Sequence, residues 1–378
     1  MNIAFITRSY SKKGGVSRCV VELAEKFSRD HQVHIYTGQW DSGLDKANIV
    51  FHQVKMIPWP FFLKVLSFVL FCGQKLKHSS HDLIVGPLGD AFQADILVAH
   101  SCHRSWVEMK KKNWLELLKY WINPLHQIAL FLERSALQKG KYKKIISISR
   151  LTGNDLSKYY HVPAEDITVI YNGVNIEEFT PINVNSSRQD LRHELGFSDT
   201  DILLLFAANE FKRKGLRTLL EAVALPMQNA PVKLLIVGGD NPDPYMVLIK
   251  KLDIKAQVSF CGLRQDMHRF YAASDIFVLP TKLEPFGLVI TEAMASGLPV
   301  VTSRLAGAAE LITDGETGLL LQNPENPGEL QDKILKLVKD VDYRKKIGSN
   351  AAAIMQQYSW EKIKIEYENI CEVLRSKG

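Results

Sequence analysis

Long apolar runs are missing from this chain of 378 residues. The longest, Phe61 to Cys72, is broken by Lys64 and Ser67. It is too short to span a bilayer, which takes about 20 apolar residues. Cysteine is scarce: Cys19, Cys72, Cys102, Cys261 and Cys371 are an odd number with no C-x-x-C pair. That argues against a disulfide framework or a structural zinc site and fits a reducing cytoplasm. The N-terminus runs straight into a strand pattern, without the regions of a signal peptide. Neither a Walker loop nor G-x-G-x-x-G is present. Internal repeats and low-complexity tracts are absent too.

What is present describes a soluble globular protein, with 46% hydrophobic and 23% charged residues. The length suits two α/β domains of ordinary size. A net charge of +6 fits an anionic partner, whether a nucleotide-sugar, an anionic lipid surface or nucleic acid, without choosing among them.

The richest stretch is Glu284-Pro285-Phe286-Gly287-Leu288-Val289-Ile290-Thr291-Glu292. Before it, Asp275 to Pro280 reads as a short buried parallel strand stopped by proline. After it, Ala293-Met294-Ala295-Ser296-Gly297-Leu298-Pro299-Val300-Val301 reads as helix, Gly-Pro stop and another strand. This order predicts a helix N-terminus near Phe286 and Gly287. Its unpaired N–H groups and dipole favour an anion such as a diphosphate, and Gly287 permits close approach. Glu284 is expected ahead of the helix and Glu292 about two turns inside it, both facing one crevice at the strands' carboxyl ends. Carboxylates accept hydrogen bonds from hydroxyl-rich ligands. Taken alone, two glutamates at this spacing also fit a solvated helix surface.

With Pro-Phe-Gly and Ala-x-Ala-x-Gly-x-Pro-Val-Val in place, the stretch resembles the signature of family-4 glycosyltransferases. These are retaining enzymes of the GT-B fold: α/β, two doubly wound Rossmann-like domains facing across a cleft. The resemblance implies that Glu292 holds the nucleotide ribose and Glu284 contacts the donor sugar. It implies that N–H groups of Phe286, Gly287 and Leu288 meet sugar and phosphate oxygens. Upstream, Asn209-Glu210-Phe211-Lys212-Arg213-Lys214-Gly215 follows the strand-like Leu203 to Ala208. Clustered cations on a βα loop suit a diphosphate, Arg as a fork and Lys as a point charge. The resemblance makes Arg213 and Lys214 the groups that neutralise the leaving nucleotide diphosphate. It also places the nucleobase at Gly262 and Leu263, largely on backbone.

The resemblance covers nearly the whole chain and divides it. Residues 1–173 are expected to form an N-terminal acceptor-binding domain and 174–357 a nucleotide-sugar-binding domain. Residues 358–378 are expected to be a helix crossing back to the first. Asn172-Gly173-Val174-Asn175 resembles the family's Asn-Gly-Val-Asp at the junction, with Asn175 in place of Asp. A polar linker is expected from Phe179 through Ser187.

In the first domain, a strand, the loop Arg8 to Val16 and a helix make a phosphate-approach turn, or a plain tight turn. The resemblance implies that Gly14 and Gly15 reach the donor diphosphate. Asp95 to His100 reads as a strand running into Ser101-Cys102-His103-Arg104-Ser105-Trp106. His-Arg-x-Trp, with Asn123-Pro124-Leu125-His126 and Leu132-Glu133-Arg134, resembles lipopolysaccharide-core glucosyltransferases. His103 matches the histidine of that pattern, while His100 sits where other members keep an active-site histidine, so both are candidates. Pro58 to Phe71 reads as a helix buried against the sheet or as a face touching membrane. Lys110-Lys111-Lys112 and Lys139 to Lys144, with Trp106, Trp114 and Trp121 between, read as a solvated face or a membrane-surface patch.

Glycosyl transfer needs a nucleotide clamp, cations for the leaving diphosphate and an acceptor site. Asp199-Thr200-Asp201 and Asp340-Val341-Asp342 spell Asp-x-Asp. Neither follows a strand in a cleft, so both read as surface, and no metal or other cofactor is expected. The chain therefore reads as a retaining, metal-independent hexosyltransferase. Its expected donor is UDP-glucose or a similar UDP-hexose. Its expected acceptor is a saccharide or lipid-linked saccharide, such as a lipopolysaccharide core. An anionic membrane surface at the cytoplasmic face of the inner membrane is a further expected partner; nucleic acid is not. A sugar-nucleotide epimerase of the same fold would lack the paired-glutamate signature. A non-catalytic nucleotide-sugar or membrane-binding scaffold would carry it in degenerate form.

Overall fold

Near-continuous runs of Val, Ile and Leu build the strands, as expected where a parallel sheet is covered on both faces. A computed structural model of the chain describes residues 1–44, 48–110, 122–181 and 184–376. Lys111, Lys112, Trp114 and Trp121, expected in a basic-aromatic patch, lie outside the described residues. The chain forms two units, Met1–Gly173 joined by the segment from Trp360, and Val174–Ser359.

In the first unit β1 (Asn2–Thr7), β2 (Gln32–Thr37), β3 (Ile49–Gln53), β4 (Leu83–Pro87), β5 (Ile96–Ala99), β6 (Lys144–Ser147) and β7 (Ile167–Val169) form one parallel sheet. Its order is β3-β2-β1-β4-β5-β6-β7. The order reverses between β1 and β4, and loops at such a point form the ligand crevice of an open sheet. Helix α1 (Gly15–Phe27) leaves β1 there. Helix α2 (Phe61–Lys77) buries Val65, Phe68, Val69, Cys72 and Leu76 and leaves Leu70 and Phe71 exposed. The helix Trp360–Ser376 buries Trp360, Ile363, Tyr367 and Cys371 at helical spacing. It packs on α1 beside Cys19, Val20 and Leu23, and Lys26–Glu361 and Lys364–Asp30 ion pairs flank the seam.

In the second unit β8 (Ile202–Ala207), β9 (Val232–Val237), β10 (Val258–Phe260), β11 (Ile276–Leu279), β12 (Val300–Ser303) and β13 (Leu319–Leu321) are again parallel, in the order β10-β9-β8-β11-β12-β13. The reversal falls between β8 and β11. The loops leaving these two strands carry Arg213, Lys214 and Glu284.

The expected polar linker through Ser187 is instead entered by a helix, Val184–Glu194. Its polar composition hides it from apolar periodicity. Its anchors are ionic: Arg188 and Arg192 each reach Asp275 at 2.7 Å. Arg192 is fully buried and also donates to the carbonyls of Ala273, Ser198 and Asp201, so the desolvation of its charge is offset. Among the described residues no helix is long and apolar enough to cross a membrane.

Candidate active site

Beyond β8 the backbone turns through Glu210 (φ +58°) into the short helix Phe211–Lys214. Asp240 anchors its start, accepting from the Phe211 N–H at 2.7 Å. Gly215 (φ +82°) closes the turn, and a Cβ there would lie 2.1 Å from the Pro280 carbonyl oxygen. Only glycine brings this turn so close to the end of β11. The result places the Lys214 ammonium in an ion pair with Glu284, seventy positions away in sequence. Lys214 is buried. Burial, reinforced by the Arg213 charge, pushes its ammonium down to about 7, and the Glu210 carboxylate works the other way.

Arg213 stands beside this pair with its fork engaged. Nε and one terminal nitrogen meet the two Glu210 oxygens at 3.1 and 2.9 Å, and the other terminal nitrogen donates to the Leu283 carbonyl. Glu210 is exposed. An incoming diphosphate would compete with Glu210 for the same fork. Nothing in the sequence marked Glu210 or Asp240, because their roles follow from turn geometry.

Glu284 is held by its main chain: its N–H donates to Leu305 O at 3.0 Å and its carbonyl accepts from Gly307 at 2.9 Å. The Phe286 ring is buried and its carbonyl accepts from Ala308 at 2.8 Å. Gly287 (φ +99°) then caps the helix Leu288–Ala295 without any side-chain hydrogen bond. In its first turn the Ile290 N–H donates to the Gly287 carbonyl at 2.9 Å, while those of Leu288 and Val289 have no acceptor within the helix.

Glu292 is the fifth residue of that helix, a little over one turn in rather than the expected two, because the left-handed Gly287 delays the start. Glu284 meets Lys214, whereas the buried Glu292 accepts from the Tyr271 hydroxyl at 2.8 Å. Tyr271 is itself fully buried against Phe179 and Phe277. No motif points to Tyr271; its one signal is a hydroxyl on an otherwise buried ring, which needs a partner. Gly262 (φ +66°) accepts from the Gly238 N–H at 2.9 Å, and Leu263 is exposed.

The first unit holds the other candidates in separate places. Gly14 precedes α1 and Gly15 begins it, both exposed, with the Ser17 hydroxyl donating to Ser11 O at 2.7 Å. His100 follows β5 and lines a small pocket with Asn172 and Trp360; burial pushes it down to about 4. His103 opens helix α3 (His103–Lys110), where its backbone N–H donates to the buried Glu133 carboxylate at 2.7 Å. Its ring lies 3.1 Å from His126, nitrogen to nitrogen, and both rings stack on Trp106. Burial and then the His126 charge push His103 to about 4. At the junction Asn175 accepts from the Glu177 and Glu178 N–H groups at 3.2 Å, a task asparagine shares with aspartate. Asp340 likewise caps the helix Val341–Met355, an exposed structural role.

Two parallel-sheet units with these loops at their switch points match known proteins. The family profile described as Glycosyl transferases group 1 matches residues 187–353, and that of Glycosyltransferase Family 4 matches residues 13–178. The chain is a glycosyltransferase of the group 1 family with the GT-B fold. Among its relatives, the Escherichia coli lipopolysaccharide glucosyltransferase WaaG is 26% identical over 93% of each chain. An uncharacterized glycosyltransferase of Methanocaldococcus jannaschii is also 26% identical, over 99% of this chain and 98% of its own. The crystal structure of WaaG superposes with a TM-score of 0.82 at 23% identity, covering 98% of this chain and 99% of that one. Anabaena HepE in complex with UDP and glucose gives 0.76 at 22% identity, covering 99% and 100%.

Proposed function

We propose that this glycosyltransferase is a retaining, metal-independent family-4 hexosyltransferase. It takes UDP-glucose or a similar UDP-hexose as donor and a saccharide or lipid-linked saccharide as acceptor. The observation that carries this reading is the buried Lys214 held against Glu284, beside Arg213 and the start of the helix Leu288–Ala295. As the bond to the leaving diphosphate breaks, negative charge grows on its oxygens. Lys214, Arg213 and the helix N–H groups are fixed positive groups that stabilise it without reorganising. They thereby supply the charge a metal ion would otherwise bring. Glu284, released from Lys214, accepts from sugar hydroxyls, and Glu292, steadied by Tyr271, accepts from the ribose. The UDP-glucose complex of HepE and the glucosyltransferase name of WaaG support the choice of donor.

The acceptor falls to the first unit. A pocket of about 300 Å³ at the end of β1, lined by Arg8, Ser9, Ser17, Gln39 and Lys64, offers it hydrogen-bonding groups. His100 and His103 are the candidate histidines of that unit. Exposed Trp59, Phe61 and Phe131, with the lysines from Lys139 to Lys144, fit an anionic membrane at the cytoplasmic face.

Proton NMR of UDP-glucose turnover in excess EDTA tests the reaction. The expected first product is α-configured and free UDP accumulates. A β-configured product, or activity that returns only with Mg²⁺ or Mn²⁺, would overturn the corresponding part. A new UDP-sugar with no UDP released would instead make the protein an epimerase.

A further inference from the structure

One cavity of the first unit adjoins the β1 carboxyl-end pocket, with Asp90 lining both. It has a volume of about 780 Å³, between α2, the Asp90–Asp95 segment and the Gln138–Lys143 loop. That volume is in the range of small-molecule sites, roughly 300–1,000 Å³. Val69, Leu76, Ile84 and Phe92 make its wall apolar, and the exposed Leu70 stands on its lining.

Gly73 gives this cavity its meaning. It lies inside α2, four residues before the helix ends, where glycine costs stability relative to alanine. No positive φ requires glycine here, and a Cβ would meet nothing within 4 Å. Packing does not explain the residue; a side chain at this position would enter the cavity.

The charges of the lining are uneven. Asp90 is taken by Arg8 at 2.7 Å and Asp95 by Lys143 at 3.0 Å. Lys77 and Lys141 make no ion pair among the described residues. Two ammonium groups thus stand over an apolar interior with no carboxylate left to answer them.

We propose that this cavity binds a single long acyl chain, with an anionic headgroup met by Lys77 and Lys141. Burial of the chain supplies affinity through apolar contact, and the lysines set the direction of entry. The site is independent of the donor reading, because none of its lining residues is among the donor-binding candidates, Gly14 and Gly15 included.

Titration of the full chain with cis-parinaric acid in vesicle-free buffer tests the proposal. One saturable site per chain is expected, emptied by palmitate and not by hexanoate. Gly73→Phe should weaken binding about tenfold or more. It should also leave Tm unchanged or raise it, and UDP binding should be intact. Gly73→Leu, a smaller filler, serves should phenylalanine disturb the fold. Replacing Lys77 and Lys141 together by alanine should weaken palmitate while sparing hexadecanol. Absence of saturable binding, or unchanged affinity in both folded glycine variants, would overturn the site. Equal loss of palmitate and hexadecanol in the lysine variant would overturn the headgroup assignment.

Discussion

Of the eleven histidines, only His193 and His268 lie in the second unit. The first unit gathers the rest, several of them in apolar surroundings. His34 Nδ1 meets His52 Nε2 at 2.9 Å, His81 Nε2 meets the Tyr36 hydroxyl at 2.9 Å, and the His34 and His81 rings are 4.7 Å apart. Burial lowers the pKa of all three. The second unit instead pairs fixed charges: Lys214 with Glu284, Arg213 with Glu210, Arg188 and Arg192 with Asp275. The first unit keeps this histidine cluster neutral. The second sets its cations against carboxylates, ready for an anion to displace or join.

The sharpest way to break this contrast is to remove a cation. Lys214→Ala should lower turnover about a hundredfold, since losing a preorganised charge contact costs about 3 kcal/mol at the transition state. The thermal unfolding profile should survive. Near-normal turnover in the folded variant would deny Lys214 its part.

The glutamates should separate next. Glu292→Ala should weaken free UDP and UDP-sugar alike by about tenfold or more, the loss expected for a hydrogen bond to a charged group. Tyr271→Phe should give a smaller loss in the same direction. Glu284→Ala should leave UDP affinity nearly intact and depress turnover. Calorimetry with UDP decides between them; equal losses from the two alanines would refute the division of labour.

A smaller effect follows from Lys214 titrating near neutrality. In the free enzyme it sheds its proton as pH climbs through about 7, so kcat/KM should decline on the alkaline side. A bound diphosphate favours the ammonium, so the corresponding limb in kcat should lie higher. A kcat/KM profile flat from pH 6 to 9 would contradict this.

The smallest predicted effect belongs to the first unit. His34, His52 and His81 have lowered folded-state values, so the unfolded chain binds more protons as pH falls through its ordinary range near 6.5. Stability supplied by the neutral cluster is present above that range and lost on acidification. Hydrogen exchange at pH 5 and 7.5 should show first-unit amides opening before second-unit ones. Uniform loss of protection would erase the distinction.

Much of the fold was legible because its signals are local. Apolar runs such as Ile202–Ala207 and Ile276–Leu279, the second stopped by Pro280, read as parallel strands without further help. The partners within the site were not, since they come from distant segments. No spacing rule links Lys214 to Glu284, or Glu292 to Tyr271. The helix Val184–Glu194 escaped for a related reason: its buried Arg192 is held by Asp275, far along the chain, so its own sequence looks solvated.

The seam between α1 and the helix Trp360–Ser376 also bears on biosynthesis. The second unit is an insertion: chain entry and exit lie side by side, with Val174 donating to Tyr358 O at 2.9 Å. A ribosome therefore delivers nearly all of the first unit, then the whole second one, before supplying the helix that covers Cys19, Val20 and Leu23. Until then that apolar face of α1 stays bare to chaperones and to other nascent chains. A stop codon just after Ser359 would thus cripple the unit made earliest and spare the one made just before it.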